Sequence, residues 1–227
     1  MKWSVAAVPF IVLSALIVAY TVAAPTASIP VRPGPADAPD AVAAQRIRLV
    51  LAPDGNEARY RVREQLANLD FPNDAIGKTT SITGALVIEP DGRIVQDQSK
   101  FVIDLRTLQS DAQMRDRYIQ RNTLQTAQYP SAEFVPTAFR GLPSPLPTSG
   151  EVSLQVTGDL TVRGVTRPVT WAVTLRPAPN LYSGSATTTF AFTEFEITKP
   201  RVARVLGVND SIRLEYDFRL VPERAGS

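Results

Sequence analysis

From about residue 46 to residue 222, apolar and polar side chains alternate with a period of two, the mark of strands with one buried face. Ile47, Leu49 and Leu51 share a face, and Ala58, Tyr60 and Val62 oppose Arg59, Arg61 and Arg63. Ile82–Ile88 predicts a strand that leads into the turn Pro90-Asp91-Gly92. Phe101, Ile103 and Leu105 alternate next, and residues 134–139 predict a strand interrupted by Pro136. Residues 153–163 set Leu154, Val156, Leu160 and Val162 against Gln155, Thr157, Asp159 and Thr161. Val169, Trp171, Val173 and Leu175 repeat the pattern. Between these two runs, residues 163–168 predict a turn, with Gly164 for positive φ and Pro168 closing the exit. Residues 185–195 place Ala186, Thr188, Phe190 and Phe192 together. In the last strand Ile212, Leu214, Tyr216, Phe218 and Leu220 oppose Arg213, Glu215, Asp217 and Arg219. About eight one-sided strands predict an all-β antiparallel barrel, since closure removes the unpaired edges.

One stretch departs from this period. Ser110-Asp111-Ala112-Gln113 reads as a capping box, and residues 111–121 continue without Gly or Pro, with Met114, Tyr118 and Ile119 as an apolar stripe. A single short α-helix is therefore inserted in the barrel, ending before Tyr129-Pro130.

The chain begins differently. Residues 5–24 carry no charge and, as a helix, are long enough to cross a bilayer core. They read as a signal peptide or a membrane anchor, and the alternatives stay open. Either sends the rest of the chain across a membrane, to the periplasm or another extracytoplasmic space. Residues 25–45 form a Pro- and Ala-rich linker, an extended spacer. The barrel domain occupies residues 46–223.

Three segments, in order, resemble the YceI-like family. They are Ser81-Ile82-Thr83-Gly84-Ala85-Leu86-Val87-Ile88; Arg115-Asp116 followed by Gln128-Tyr129-Pro130-Ser131-Ala132-Glu133-Phe134; and the hairpin running from Thr157-Gly158-Asp159-Leu160 through Arg163-Gly164 to Val169-Thr170. The resemblance implies a lipocalin-like barrel, exported to the cell envelope. It also implies an elongated apolar cavity for an isoprenoid or other long-chain amphiphilic lipid. Two departures stand out. Ala52-Pro53-Asp54-Gly55-Asn56-Glu57-Ala58 replaces the family's opening Asp-x-x-His-Ser motif, and the 66–80 stretch is longer and more polar than the family pattern.

Composition narrows the chemistry. The 227 residues include no cysteine and no histidine. Disulfides, thiolate metal sites and the Ser-His-Asp and Cys-His catalytic devices are excluded. A formal net charge of +2 with interspersed signs leaves no nucleic-acid footprint. No carboxylate pair is singled out by spacing, and no cofactor is implied. The chain reads as a noncatalytic binding protein.

Candidate cavity-lining residues are Tyr60, Val62, Phe101, Ile103, Trp171, Phe190, Phe192, Tyr216 and Phe218. The same set serves a filled core equally well, and that reading goes with an envelope interaction module that has a protein partner. A homodimer also stays open. Glu64 falls in phase with Tyr60 and Val62, either at a wet rim or paired with an arginine or a ligand head group. Arg115, Asp116, Arg117 and Arg121 read as a solvated helix face with an Arg115–Asp116 pair, or as an anion-binding cluster at the barrel mouth.

Overall fold

Alternation gives every strand one apolar face, and those faces meet if the sheet is rolled up. The computed structural model describes residues 46–67, 70–200 and 205–223. Its strands are β1 (Ile47–Leu51), β2 (Glu57–Leu66), β3 (Asn73–Thr79), β4 (Ile82–Ile88), β5 (Lys100–Asp104), β6 (Ser131–Arg140), β7 (Val152–Val162), β8 (Val165–Ala178), β9 (Leu181–Ala191), β10 (Val205–Val208) and β11 (Ser211–Pro222). All pair antiparallel in one sheet, and β1-β4-β5-β6-β7-β8-β9-β11 returns to β1, closing an eight-stranded ring. The expected barrel is therefore present.

Closure depends on β11, which holds β1 and β2 on one side. Leu51 pairs with Leu220 in β1, and Glu57 pairs with Asp217 in β2. The two behave as one strand with a break between them. Asn56 stitches that break. Its amide donates to the Ala52 carbonyl at 2.9 Å, and its side-chain oxygen accepts from the Arg219 N–H at 2.9 Å and the Tyr216 hydroxyl at 3.3 Å.

The β7–β8 hairpin turns on two residues. Arg163 and Gly164 have φ of 52° and 77°, as a type I′ turn requires. The turn is thus shorter than the predicted 163–168 segment, and Pro168 lies within β8, opposite Asp159. The β9 ladder starts only at Ala172, so Pro168 occupies a part of β8 that β9 leaves unpaired.

Other boundaries also shift. β3 falls inside the polar 66–80 stretch, where its inward residues Ala75, Gly77 and Thr79 are too small or polar to register as an apolar period. Phe192 belongs to a short 3-10 turn, Phe192–Phe195, beyond the end of β9. α1 (Gln113–Tyr118) has Ala112 rather than Ser110 at its N-cap. Ser110 is engaged elsewhere: its N–H and hydroxyl donate to the Asp116 carboxylate at 2.9 and 2.6 Å. The next turn, Ile119–Thr123, widens to an i+5 bond from the Leu124 N–H to the Ile119 carbonyl, 2.7 Å.

Inside, small residues face large ones. A Cβ added to Gly77 would stand 2.2 Å from the Tyr60 ring on the paired strand. Gly158 makes the same room for Phe134, and Gly184 for Phe218. Outside, Arg59, Arg61 and Arg63 interlock with Glu57, Asp74, Glu215 and Asp217 across β2, β3 and β11. Hydrogen bonds from Arg61 hold Glu215 below the ordinary carboxylate range, against an opposing desolvation. Arg59 does the same for Glu57, and Arg63 and Arg61 for Asp74.

Two outcomes are expected. Asn56→Ala leaves three polar groups without their partner at the seam and lowers stability by about 1–3 kcal/mol in urea titration. The lowered carboxylates contribute stability that is complete above their unfolded pKa values, near 4.5 and 3.8, and is lost as pH falls through the folded values. A thermal melting temperature that holds from neutral pH to about pH 5 and then drops would match this; one that rises on acidification would contradict it.

Candidate functional site

The rolled sheet is not filled. Its interior encloses a cavity of about 730 Å³. Two apolar clusters bound it. One gathers Val62, Leu160, Val162, Val169, Phe190 and Phe192 toward the Arg163-Gly164 turn. The other gathers Leu49, Leu154, Val173, Leu175, Phe218 and Leu220 toward the opposite end. Leu142 and Leu146, from the β6–β7 connection, pack against the second cluster.

All nine sequence-derived positions line this space: Tyr60 and Val62 from β2, Phe101 and Ile103 from β5, Trp171 from β8, Phe190 from β9, Phe192 from the turn after it, and Tyr216 and Phe218 from β11. Tyr60 and Tyr216 are deep enough that burial raises both phenol pKa values. Both rings therefore carry neutral hydroxyls at physiological pH. For Tyr60, the Arg115 charge works against that rise.

The helix end of the cavity adds lining residues beyond those nine, among them Arg115, one of the candidate mouth residues. Met114, Arg115 and Tyr118 of α1 line the cavity, as do Ile119 and Thr123 of the following turn and Leu66 and Val205 of β2 and β10. Met114 is 78% exposed while lining the cavity, so the space opens to solvent beside it.

Glu64 does not sit at a wet rim. It is 7% exposed and accepts from Arg115 at 2.8 Å, with the Asn73 amide at 3.5 Å. Arg115 also bridges to Asp111. Burial opposes the Arg115 charge most strongly, but Glu64 and Asp111 outweigh it and its pKa is raised. The expected Arg115–Asp116 pair is replaced by this link, because Asp116 is taken up by Ser110. Arg117 and Arg121 remain exposed on the outer side of the helix segment. The phase of Glu64 with Tyr60 and Val62 was the available signal for its burial. Its partner, 51 positions away in sequence, was not readable from spacing. Among the described residues, no group of Asp or Glu side chains is arranged to hold a metal ion.

A family model described as the YceI-like domain matches residues 51–220. The chain belongs to the YceI-like family. The match spans the YceI-like barrel from the end of β1 to nearly the end of β11. Among curated relatives, a UPF0312 protein of Pseudomonas putida (strain GB-1) is 37% identical over 113 residues, 46% of this chain and 55% of the relative. A UPF0312 protein of Pseudomonas fluorescens (strain SBW25) is 38% identical over 81 residues, 34% of this chain and 38% of the relative. At best, the chain thus spans about half the length of these curated relatives.

Solved structures extend the likeness of fold. A polyisoprenoid binding domain from Saccharophagus degradans superposes with a TM-score of 0.59 at 11% identity, covering 77% of this chain and 98% of that one. Burkholderia cenocepacia BcnA gives 0.52 at 17% identity, covering 73% and 95%. These likenesses bear on the YceI-like barrel alone.

The Glu64–Arg115 pair generates a prediction about stability. Arg115→Ala strands Glu64 in a poorly hydrated site and costs about 2–4 kcal/mol, whereas Glu64→Ala costs less because Asp111 still pairs with Arg115. Glu64→Leu combined with Arg115→Met removes both charges and restores most of that loss, as read in a double-mutant cycle of urea unfolding.

Proposed function

We propose that this YceI-like domain is a noncatalytic binding protein for a long-chain amphiphile, an isoprenoid-like lipid. The chain lies in the barrel and the polar head at the Glu64–Arg115 end. The observation that carries this reading is a hollow interior of about 730 Å³ walled by two apolar clusters. Each methylene moved from water into such a space contributes about 0.8 kcal/mol, so a long chain binds well with few polar contacts. Arg115 is already compensated by Glu64 and Asp111, so the mouth favours a head that accepts or donates hydrogen bonds without adding much charge. The polyisoprenoid binding domain of Saccharophagus degradans has the same fold, which supports the ligand class.

The envelope location is part of the proposal. It is supported by the uncharged run at residues 5–24 and the proline-rich spacer at 25–45. Both lie outside the described residues, among which no helix is long and apolar enough to cross a membrane. The rival reading, a packed module for a protein partner, requires a filled barrel, and the cavity weighs against it.

The test is native mass spectrometry of the full chain purified without detergent, followed by solvent extraction of any carried lipid. A bound mass that dissociates as a lipid is expected, together with uptake of a fluorescent prenyl probe. Ala186→Phe should reduce that uptake because it fills the cavity from β9. A protein with no carried lipid and no probe uptake would defeat the proposal.

A further inference from the structure

Trp171 has a position that no other described residue shares. It packs against both apolar clusters, whereas each of the other residues that form or border the clusters goes with one of them. Its place in the fold explains this. β8 runs from Val165 to Ala178, and Trp171 is its midpoint. Val165 and Val169 join the cluster at the turn end; Val173 and Leu175 join the cluster at the far end. The indole stands where the two halves of the cavity meet, and Phe134 buttresses it edge-on with ring centroids 5.8 Å apart. Phe134 in turn fits over Gly158, which has no Cβ to obstruct it.

A second observation concerns how the ring is held. Its Nε1–H is buried and has no hydrogen-bond partner among the protein's described groups. A buried indole donor ordinarily finds one. Within the protein Trp171 is therefore held by packing, and no bond to another residue has to break if the ring turns to let a chain past.

We propose that Trp171 is the waist of the cavity and the residue that sets its selectivity for ligand chain length. The inference rests on the reading of the cavity as a lipid site. A ligand entering beside Met114 fills the chamber around Val62 and Phe190 first, and only a longer chain reaches the indole and continues toward Phe218.

The experiment uses the full chain with Trp3→Phe, so that Trp171 is the sole indole, since the protein has two tryptophans. A homologous series of prenyl alcohols, from two to ten isoprene units, is titrated while indole emission is recorded. Affinity is read independently by displacement of a fluorescent probe. Short members are expected to displace the probe without moving the emission, and longer members to shift it abruptly at a threshold length. Trp171→Ala, measured by displacement, should weaken the long members on the order of tenfold and leave the short ones near the wild-type value. Trp171→Phe should retain most of the long-chain affinity and guards against a folding defect in the alanine variant. Emission that responds equally to the shortest alcohol, or a loss in Trp171→Ala that is the same at every length, would overturn the waist and leave the lipid reading standing. Failure of every alcohol to displace the probe or alter the emission would overturn both.

Discussion

Closure of the sheet at β11 is the constraint on which the remaining architecture depends. One strand carries β9 on one side and both β1 and β2 on the other. The break between β1 and β2 is the cost of bending a single edge around the ring, and Asn56 satisfies the backbone groups that the bend exposes. Once the ring is closed, every inward side chain competes for one finite space. The aromatic residues fit because glycine stands beside three of them, at positions 77, 158 and 184. A side chain at 77 would run into the Tyr60 ring, and at 158 or 184 it would also meet the Val135 or Thr174 carbonyl of a neighbouring strand.

Charge is partitioned by the same closure. On the outer wall, the arginines of β2 meet the carboxylates of β3 and β11 in a part-buried lattice in which most charges have more than one partner. Inside, Glu64 and Arg115 meet with little water between β2 and α1. The first arrangement is tolerant of substitution, because several partners share each charge. The second is less so, because the buried Glu64 has Arg115 as its charged partner. The two motifs use the same residue types and differ in how many partners share each charge.

Much of the barrel was legible along the chain. Ile212 to Leu220 and Leu154 to Val162 alternate so regularly that their inward faces could be named outright, and the aromatic positions follow from that phase. The type I′ turn was legible in outline, through Gly164, but not in length, since Pro168 suggested an exit that β8 does not need. β3 was hidden because a face built of Ala75, Gly77 and Thr79 gives no hydrophobic signal; its partner Tyr60 supplies the bulk for both. The helix boundary was displaced because the Ser110 hydroxyl donates to the Asp116 carboxylate instead of accepting from the N–H groups of the first helical turn. Hollow and solid interiors produce the same alternation, so the cavity itself could be seen only in three dimensions. So could the ion pair joining positions 64 and 115.

The hydrogen-bonded wall has a kinetic implication. A ligand of the proposed kind, held within the ring β1-β4-β5-β6-β7-β8-β9-β11, has no way out between those hydrogen-bonded strands. It has to withdraw lengthwise through the opening beside Met114. Every carbon then crosses from wall to water in sequence, and the escape barrier grows with the number still enclosed. For a ligand of the proposed kind, residence time therefore climbs with chain length, and a mixed pool would be sorted by how slowly each member leaves.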